Sequence, residues 1–550
     1  MREQDWERLG TETYDVLIVG AGITGAGAAR DAARRGLSVA VVDANDVAFG
    51  TSSRSSKLIH GGLRYLEQLE FSLVFEAVSE RKTLQNIAPH LVNPLGFLFP
   101  IYETSRVGVN TLRAGLWLYD GLSLFRSTRL HQTLTAKEAT ATEPLLEPRK
   151  LKGAPLYFDC ATDDARLTLE TLIDACEHGA VVLTHARVVG FERDDSGRII
   201  GARVQDQLQS RQIAVSANSV VNATGPWTDR TRALGAGGPQ LLAPTKGVHI
   251  VVPGDRLALR YAVVCNHPVD QRVLFAIPWG TETYIGTTDT YFEGDPADVA
   301  ADGEDVRYLI EAANAYFPKA ALVPDDVICT WAGLRPLIRE DGSSESSVSR
   351  EHEIHIGADG LITVAGGKLT TFRRMGGEVV TKALQLLSLT GVVPEHVRDP
   401  KTGREPLPGA VGWPEDDDHE AVAEQIEAVF PGGLAHDVCR HLGDRYGMRG
   451  LDIAALVAND QRLAERLVPG RPEILALVDW AVTRELAQTV NDVMIRRTQL
   501  FFRDLDQGLS AADVVAERMA ELLGWDDARR TREVLAYQAE VARSRRWRAD

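Results

Sequence analysis

At 550 residues, 44% hydrophobic and 25% charged, the chain has enough apolar material for several cores, and about two to four domains are expected. A formal net charge of −17 excludes general nucleic-acid binding through a basic face, and it requires any anionic substrate to be recruited by local positive charge. The five cysteines (Cys160, Cys176, Cys265, Cys329, Cys439) are scattered and form no CxxC pair, which excludes a disulfide framework and a zinc site and points to a reducing cytoplasm.

The N-terminal stretch MREQDWERLGTETYD is polar and has no apolar signal-peptide core, so export is not expected. No run of about 18 uncharged apolar residues occurs, and any membrane contact would be peripheral. From Tyr14 the pattern reads as a βαβ start. YDVLIV is continuously apolar, as in a strand covered on both faces. GAGITGAG and AARDAARRG then give a turn and a helix capped by Gly36, and LSVAVV gives a second strand ending near Asp43. Residues 67–143 read as a helical region. Residues 181–204 read as two strands around the turn at Asp194–Gly197, and Ser219–Gly225 as a buried strand ending in a glycine turn. Between Lys246 and Thr287 the runs KGVHIVVP, RVLFAIPW and TYIGTTD predict a mainly antiparallel second sheet. Residues 361–387 return to strand, glycine turn and helix. A Pro- and Gly-rich linker over 391–420 precedes a helical C-terminal domain, 421–550.

Three glycine motifs carry the chemistry. In Gly20-Ala-Gly22-Ile-Thr-Gly25 the first glycine makes the tight turn, and the second lets the backbone approach a pyrophosphate at the helix N-terminus. The third lets helix and sheet pack closely, and Asp43 is placed to accept from a ribose hydroxyl. The motif indicates a dinucleotide without separating FAD from NAD. The segment from Thr51 to Tyr65, TSSRSSKLIHGGLRY, offers hydroxyls, glycine amides and the cations Arg54, Lys57 and Arg64 to phosphate oxygens; a solvated loop is the competing reading. Gly366-Gly367-Lys368 follows a buried strand and opens a helix. With NATG at Asn222–Gly225, these turns imply one long ligand held by one fold, which favours FAD. Arg335 in Gly333-Leu-Arg-Pro is suited to clamp a phosphate. His249 in an apolar strand reads equally as a core residue. His352-Glu-Ile-His355 is one residue short of HExxH and sits in a strand-like segment, so no metal is expected.

Together, DVLIVGAGITGAG, TSSRSSKLIHGGLRYLE, DDARL, VVNATGPW, KGVHIVVP, IGTTD, GLRPL and GGKLTT resemble the FAD-dependent glycerol-3-phosphate dehydrogenases, from about Tyr14 to Arg374 and more weakly beyond. The resemblance implies an α/β fold: a Rossmann-like FAD domain of the glutathione-reductase/D-amino-acid-oxidase type, a mostly antiparallel substrate sheet and an α-helical C-terminal domain. On this reading the FAD parts are about 14–70, 150–230 and 325–390, and the substrate parts 71–149 and 231–324. Cofactor contacts are then expected at Gly20, Gly22, Gly25, Asp43, Thr51, Ser52, Ser53, Lys57, Leu58, Ala223, Thr224, Gly225, Trp227, Gly366, Gly367, Lys368, Leu369 and Thr370.

The implied reaction is oxidation of sn-glycerol 3-phosphate to dihydroxyacetone phosphate, with electrons passed to a quinone. Arg64, Tyr65 and Arg335 would bind the phosphate, His60 or His249 would take the hydroxyl proton, and Lys368 would stabilise negative charge at the flavin or orient the substrate. A glycerol-3-phosphate oxidase using O2 and a flavin amine or 2-hydroxy-acid oxidase are the alternatives. The protein is expected in the cytoplasm, with attachment to the inner face of the plasma membrane and a homodimer as further options. For attachment, the apolar stretch at 108–125 and the basic RSRRWR at 543–548 are candidates, against an ordinary packed helix and a solvated tail.

Overall fold

The computed structural model describes residues 2–62, 70–122, 130–339, 352–392 and 396–549. Thr13–Val19 forms the centre of a first sheet because its side chains are apolar on both faces. It pairs in parallel with Val39–Val42 on one side and Gln212–Asn222 on the other. Val181–Leu183 and Ile362–Gly366 extend the parallel core, while His352–Ile356 adds an antiparallel edge, so HEIH lies on a strand. Helix Ile23–Arg35 covers one face. Its alanines are fully buried, and Gly36 ends it at φ +91°, the left-handed cap that its position predicts.

The second sheet is mostly antiparallel. Thr245–Pro253 is flanked by Glu282–Gly286 and Cys329–Arg335. The long strand Leu151–Thr162 pairs with Val92–Leu98, which meets Ala262–Asn266 in parallel. One face of this sheet packs on Gly303–Tyr316, the other on the C-terminal helices around Met494, Phe501 and Tyr537. The chain therefore crosses between the sheets at different points from those read in the sequence. Leu151–Thr162 and Cys329–Arg335 fall within the ranges assigned to FAD, yet both are strands of the second sheet. Periodicity identifies an apolar strand but cannot say which sheet it joins. Residues 67–143 likewise hold strands Val92–Leu98 and Gln132–Thr135 beside helices Phe71–Ile87 and Val109–Leu122.

Residues 396–418 form a strap packed on the first domain. Leu407 is buried, its N–H donates to the Ile87 carbonyl, and Arg30 donates to the carbonyls of Thr402 and Glu405. Beyond it the C-terminal part is helical from His419 onward. The basic C-terminus is anchored on the fold with exposed cations: Trp547 is buried, Arg543 donates to the Ala297 carbonyl and Arg548 to that of Val327, while Arg546 and Arg548 stay exposed. Among the described residues no helix is long and apolar enough to cross a membrane.

Candidate active site

A cleft of about 730 Å³ runs along the carboxyl ends of the parallel strands, within the range of about 300–1,000 Å³ usual for ligand sites. Its phosphate-binding end is made of backbone. Gly20 turns at φ +110°, where a Cβ would meet the Ala223 carbonyl, and a Cβ on Gly25 would collide with the Gly20 carbonyl. Gly22 caps helix Ile23–Arg35, whose first residues line the cleft at the positive end of the helix dipole. The Asp43 carboxylate accepts from the amides of Ala21 (2.7 Å) and Asn45 (2.8 Å), tying the second strand to the glycine turn. Burial raises its pKa.

Thr51 and Ser52 close the side of the cleft. Ser52 Oγ accepts from the Ile23 amide at 2.9 Å, and Thr51 Oγ1 donates to the Leu334 carbonyl at 2.6 Å, joining the first domain to the second sheet. Ala223, Thr224, Gly225 and Trp227 line the opposite wall. Gly366 and Gly367, at φ +73° and +105°, make the turn that presents Lys368 and Leu369. Such a long, glycine-cradled cleft at the ends of parallel strands, with a helix N-terminus and an acid in place, fits a dinucleotide. Gly20, Gly22, Asp43 and Gly366-Gly367 would hold it.

Other expected contacts lie elsewhere. Gly25 acts through helix–strand packing. Leu58 is part of a core cluster, and Ser53 is buried with its carbonyl accepting from Lys57 Nζ. Thr370 Oγ1 accepts from the His60 amide (3.2 Å) and donates to its carbonyl (3.3 Å), so it fixes the backbone of that exposed residue. Lys57, read as a phosphate ligand, is paired at 2.6 Å with buried Asp164 and lies 5.4–5.7 Å from the centroids of Trp279, Trp331 and Phe502. A cation so enclosed supports the second sheet and is not among the residues lining the cleft.

Next to Pro336, at the other end, the groups beside the cleft are side chains. Arg335 ends its strand beside Pro336, which lines the cleft. Its guanidinium donates to Asp289 (2.8 Å), Thr287 Oγ1 (3.1 Å) and the Thr288 carbonyl (3.2 Å). His249 is 3% exposed, with its ring stacked on Trp331 at 4.7 Å and its Nε2 2.9 Å from Ser56 Oγ. Nδ1 is buried with no hydrogen-bond partner among the described residues. Burial, with help from Arg335 and Lys57, pushes its pKa well below the ordinary value, so the ring is neutral. Arg64 and Tyr65 lie outside the described residues.

Sequence reasoning missed Ser56, Asp289 and Asp164, although each sits in a motif it singled out: TSSRSSK, IGTTD and DDARL. A buried cation needs a carboxylate partner, and that was the available signal.

Comparison with known proteins agrees with this architecture. Residues 15–373 match the FAD-dependent oxidoreductase family, and residues 400–530 match the C-terminal domain of α-glycerophosphate oxidase. Glycerol-3-phosphate dehydrogenase 2 of Mycobacterium tuberculosis is 40% identical over 98% of this chain and 89% of its own. The aerobic glycerol-3-phosphate dehydrogenase of Staphylococcus haemolyticus is 37% identical over 95% and 93%. The crystal structure of the Bacillus halodurans glycerol-3-phosphate dehydrogenase complexed with FAD superposes with a TM-score of 0.81 at 32% identity, covering 99% of this chain and 97% of that one. The chain therefore belongs to the FAD-dependent oxidoreductase family, in its glycerol-3-phosphate dehydrogenase branch.

Proposed function

We propose that the protein oxidises sn-glycerol 3-phosphate to dihydroxyacetone phosphate and delivers the electrons to a quinone. The observation that carries the reading is Arg335, next in the chain to the cleft-lining Pro336 and close to a buried neutral imidazole, in a chain 40% identical to a glycerol-3-phosphate dehydrogenase. Bound FAD supplies a hydride acceptor for C2 of the alcohol. Arg335 binds the phosphate through its planar donor fork, with Arg64 and Tyr65 completing the clamp. This answers the charge problem, since a focused cationic pocket recruits an anion to an acidic protein.

His60 or His249 receives the hydroxyl proton. A neutral His249 has a lone pair to offer, and Ser56, half-buried at Nε2, is placed to pass the proton to it. Lys368 at the glycine turn orients the substrate or balances charge at the flavin. The test is an anaerobic absorbance titration: the flavin band bleaches on adding sn-glycerol 3-phosphate, and a band that stays oxidised removes this substrate.

The acceptor is tested separately, because one family matched by the C-terminal part is named for an oxidase. Peroxide well below one equivalent per turnover supports the quinone; stoichiometric peroxide makes the enzyme an oxidase. Peripheral membrane contact belongs to the same reading. Trp117 and Leu118 on Val109–Leu122 are exposed, as are Phe71 and Phe75 on the neighbouring helix Phe71–Ile87. Co-sedimentation with anionic liposomes checks it, and a protein left in the supernatant at low salt ends it.

A further inference from the structure

The C-terminal domain meets the first domain across a seam of buried charges, and one part of that seam touches the cofactor cleft from behind. After Asp43 the chain continues through Ala44 and Asn45 to Asp46, then to Phe49 and Gly50, which line the cleft. Asp46 itself points away from the cleft and is fully buried. Its carboxylate takes a two-pronged contact from Arg497, at 2.8 and 2.9 Å, and a further one from Nε of Arg496. The Arg496 guanidinium also lies 5.7 Å from the centroid of the Phe49 ring.

A second rim segment is tied to the same place. His185 precedes Arg187, Val188 and Val189, which line the cleft opposite Asp43 and Asn45. Its backbone N–H donates to the Asn45 carbonyl at 2.8 Å, and its Nε2 is 3.0 Å from the Asp492 carboxylate. Asp492 accepts from Arg496 at 2.8 Å as well. Asp492, Arg496 and Arg497 belong to one π-helical turn, Asp492–Arg497, followed by a Thr498 amide bonded to the Val493 carbonyl. The wider turn places Arg496 and Arg497 on either side of the direction of Asp492, so both reach one carboxylate. In an α-helix, residues adjacent in sequence diverge by about 100°. Turns of this kind recur at functional sites.

We propose that the turn Asp492–Arg497 is a latch for the cofactor. From the C-terminal domain it holds the two rim segments, 43–50 and 185–189, in the conformation that retains FAD, without any of its three charged side chains being a lining residue of the cleft. Arg496, Arg497 and Asp492 are positioning residues. The latch requires the family's FAD and not the identity of the substrate, so its test reads flavin binding and not turnover.

The experiment compares three isosteric variants. Asp46→Asn and Asp492→Asn cut the latch; Glu282→Gln weakens the pairs with Arg471 and Arg503, which dock the C-terminal domain on the second sheet and, among the described residues, touch neither rim segment nor the latch turn. FAD dissociation constants are measured by flavin fluorescence on the deflavinated proteins, together with their urea unfolding midpoints. The latch predicts FAD binding weakened by about tenfold or more in Asp46→Asn and Asp492→Asn, from uncompensated buried arginines. Glu282→Gln should stay within about twofold, as expected of a site that is not coupled. Wild-type affinity in both latch variants overturns the proposal. Equal weakening in Glu282→Gln does so too, because general domain docking would then suffice.

Hydrogen exchange on the unmodified protein keeps the question answerable if a variant fails to fold. By reciprocity, FAD added to the deflavinated enzyme must slow exchange in 492–497 along with 43–50. Exchange in 492–497 that ignores FAD also overturns the latch.

Discussion

The two ends of the cleft are built on opposite principles. At the phosphate end the ligand-facing surface is backbone, made possible by the absence of side chains at Gly20, Gly22, Gly366 and Gly367. Beside the other end, behind the lining at Pro336, stand charged and aromatic side chains, each held by a partner far away in sequence: Arg335 by Asp289, Lys57 by Asp164, His249 by Ser56 and Trp331. A backbone-built site fails when any atom is added. A side-chain-built site fails in degrees, as one partner or another is removed.

The sharpest break in this comparison is Gly25→Val. The new Cβ would meet the Gly20 carbonyl, a backbone atom that no rotamer change can move aside. The glycine turn then has to separate from the helix, and the expected outcome is complete loss of bound flavin. The ratio of flavin absorbance to protein absorbance in the purified variant checks this. A yellow Gly25→Val protein would show that helix–strand contact is not what forms the cradle.

That difference also explains what could be read from the amino acids alone. The glycine turns were legible because their requirement is local: a few residues between a strand and a helix specify the geometry. Asp43 was legible for the same reason, lying at the end of the next strand. Lys57 was misread because a Ser- and Arg-rich segment beside a glycine motif looks like a phosphate loop. Its partner Asp164 is 107 residues away, and the three rings around it come from three further regions. Arg497 and Asp46 are 451 residues apart, so no local pattern joins them. The membership of Leu151–Thr162 in the second sheet was hidden similarly, since pairing is a property of the partner strand as much as of the sequence itself.

Lys57→Met tests the reassignment of that lysine. If Lys57 supports the second sheet, the variant loses about 3–5 kcal/mol of unfolding free energy, the usual result of stripping a buried ion pair of one partner. Part of this is relieved if Asp164 takes up a proton, a change its burial already favours. Urea unfolding of the holoenzyme measures the loss. A variant of ordinary stability that binds flavin poorly would return Lys57 to the cofactor.

Arg335→Ala should act more weakly and on one parameter. The guanidinium is partly exposed, and its loss frees Asp289 to be solvated at the cleft mouth. Removing a hydrogen bond to a charged group costs about 1.5–3 kcal/mol, so KM for sn-glycerol 3-phosphate should rise roughly 10- to 150-fold. Flavin content should not change. Steady-state kinetics with the phosphate substrate and with unphosphorylated glycerol separates the cases: only the preference between them should fall. An unchanged KM would take Arg335 out of the clamp.

The smallest effect belongs to His249, and it is a pH dependence that the backbone end cannot produce. The groups facing its ring are Ser56, Trp331, Arg335 and Lys57, and the charges among them are cationic. With burial they depress its pKa far below the value of about 6.5 that the unfolded chain has. Below about pH 6.5 the unfolded chain therefore binds a proton that the folded chain refuses, and stability falls as pH drops from there toward the depressed folded value. The slope contributed is at most about 1.4 kcal/mol per pH unit. His441 is depressed in the same direction, by burial and then by Arg445, Arg503 and Arg471, so it adds a second share that His249→Gln leaves intact. Urea unfolding at pH 7.5 and 5.5 should thus show a smaller acid loss in His249→Gln than in the parent enzyme, without abolishing it. Parallel profiles would mean that His249 takes up its proton equally in the folded and unfolded chain, so that the fold does not hold its ring neutral. A cation would then face Ser56 and Arg335 at pH 5.5, and His249 could not take the hydroxyl proton there.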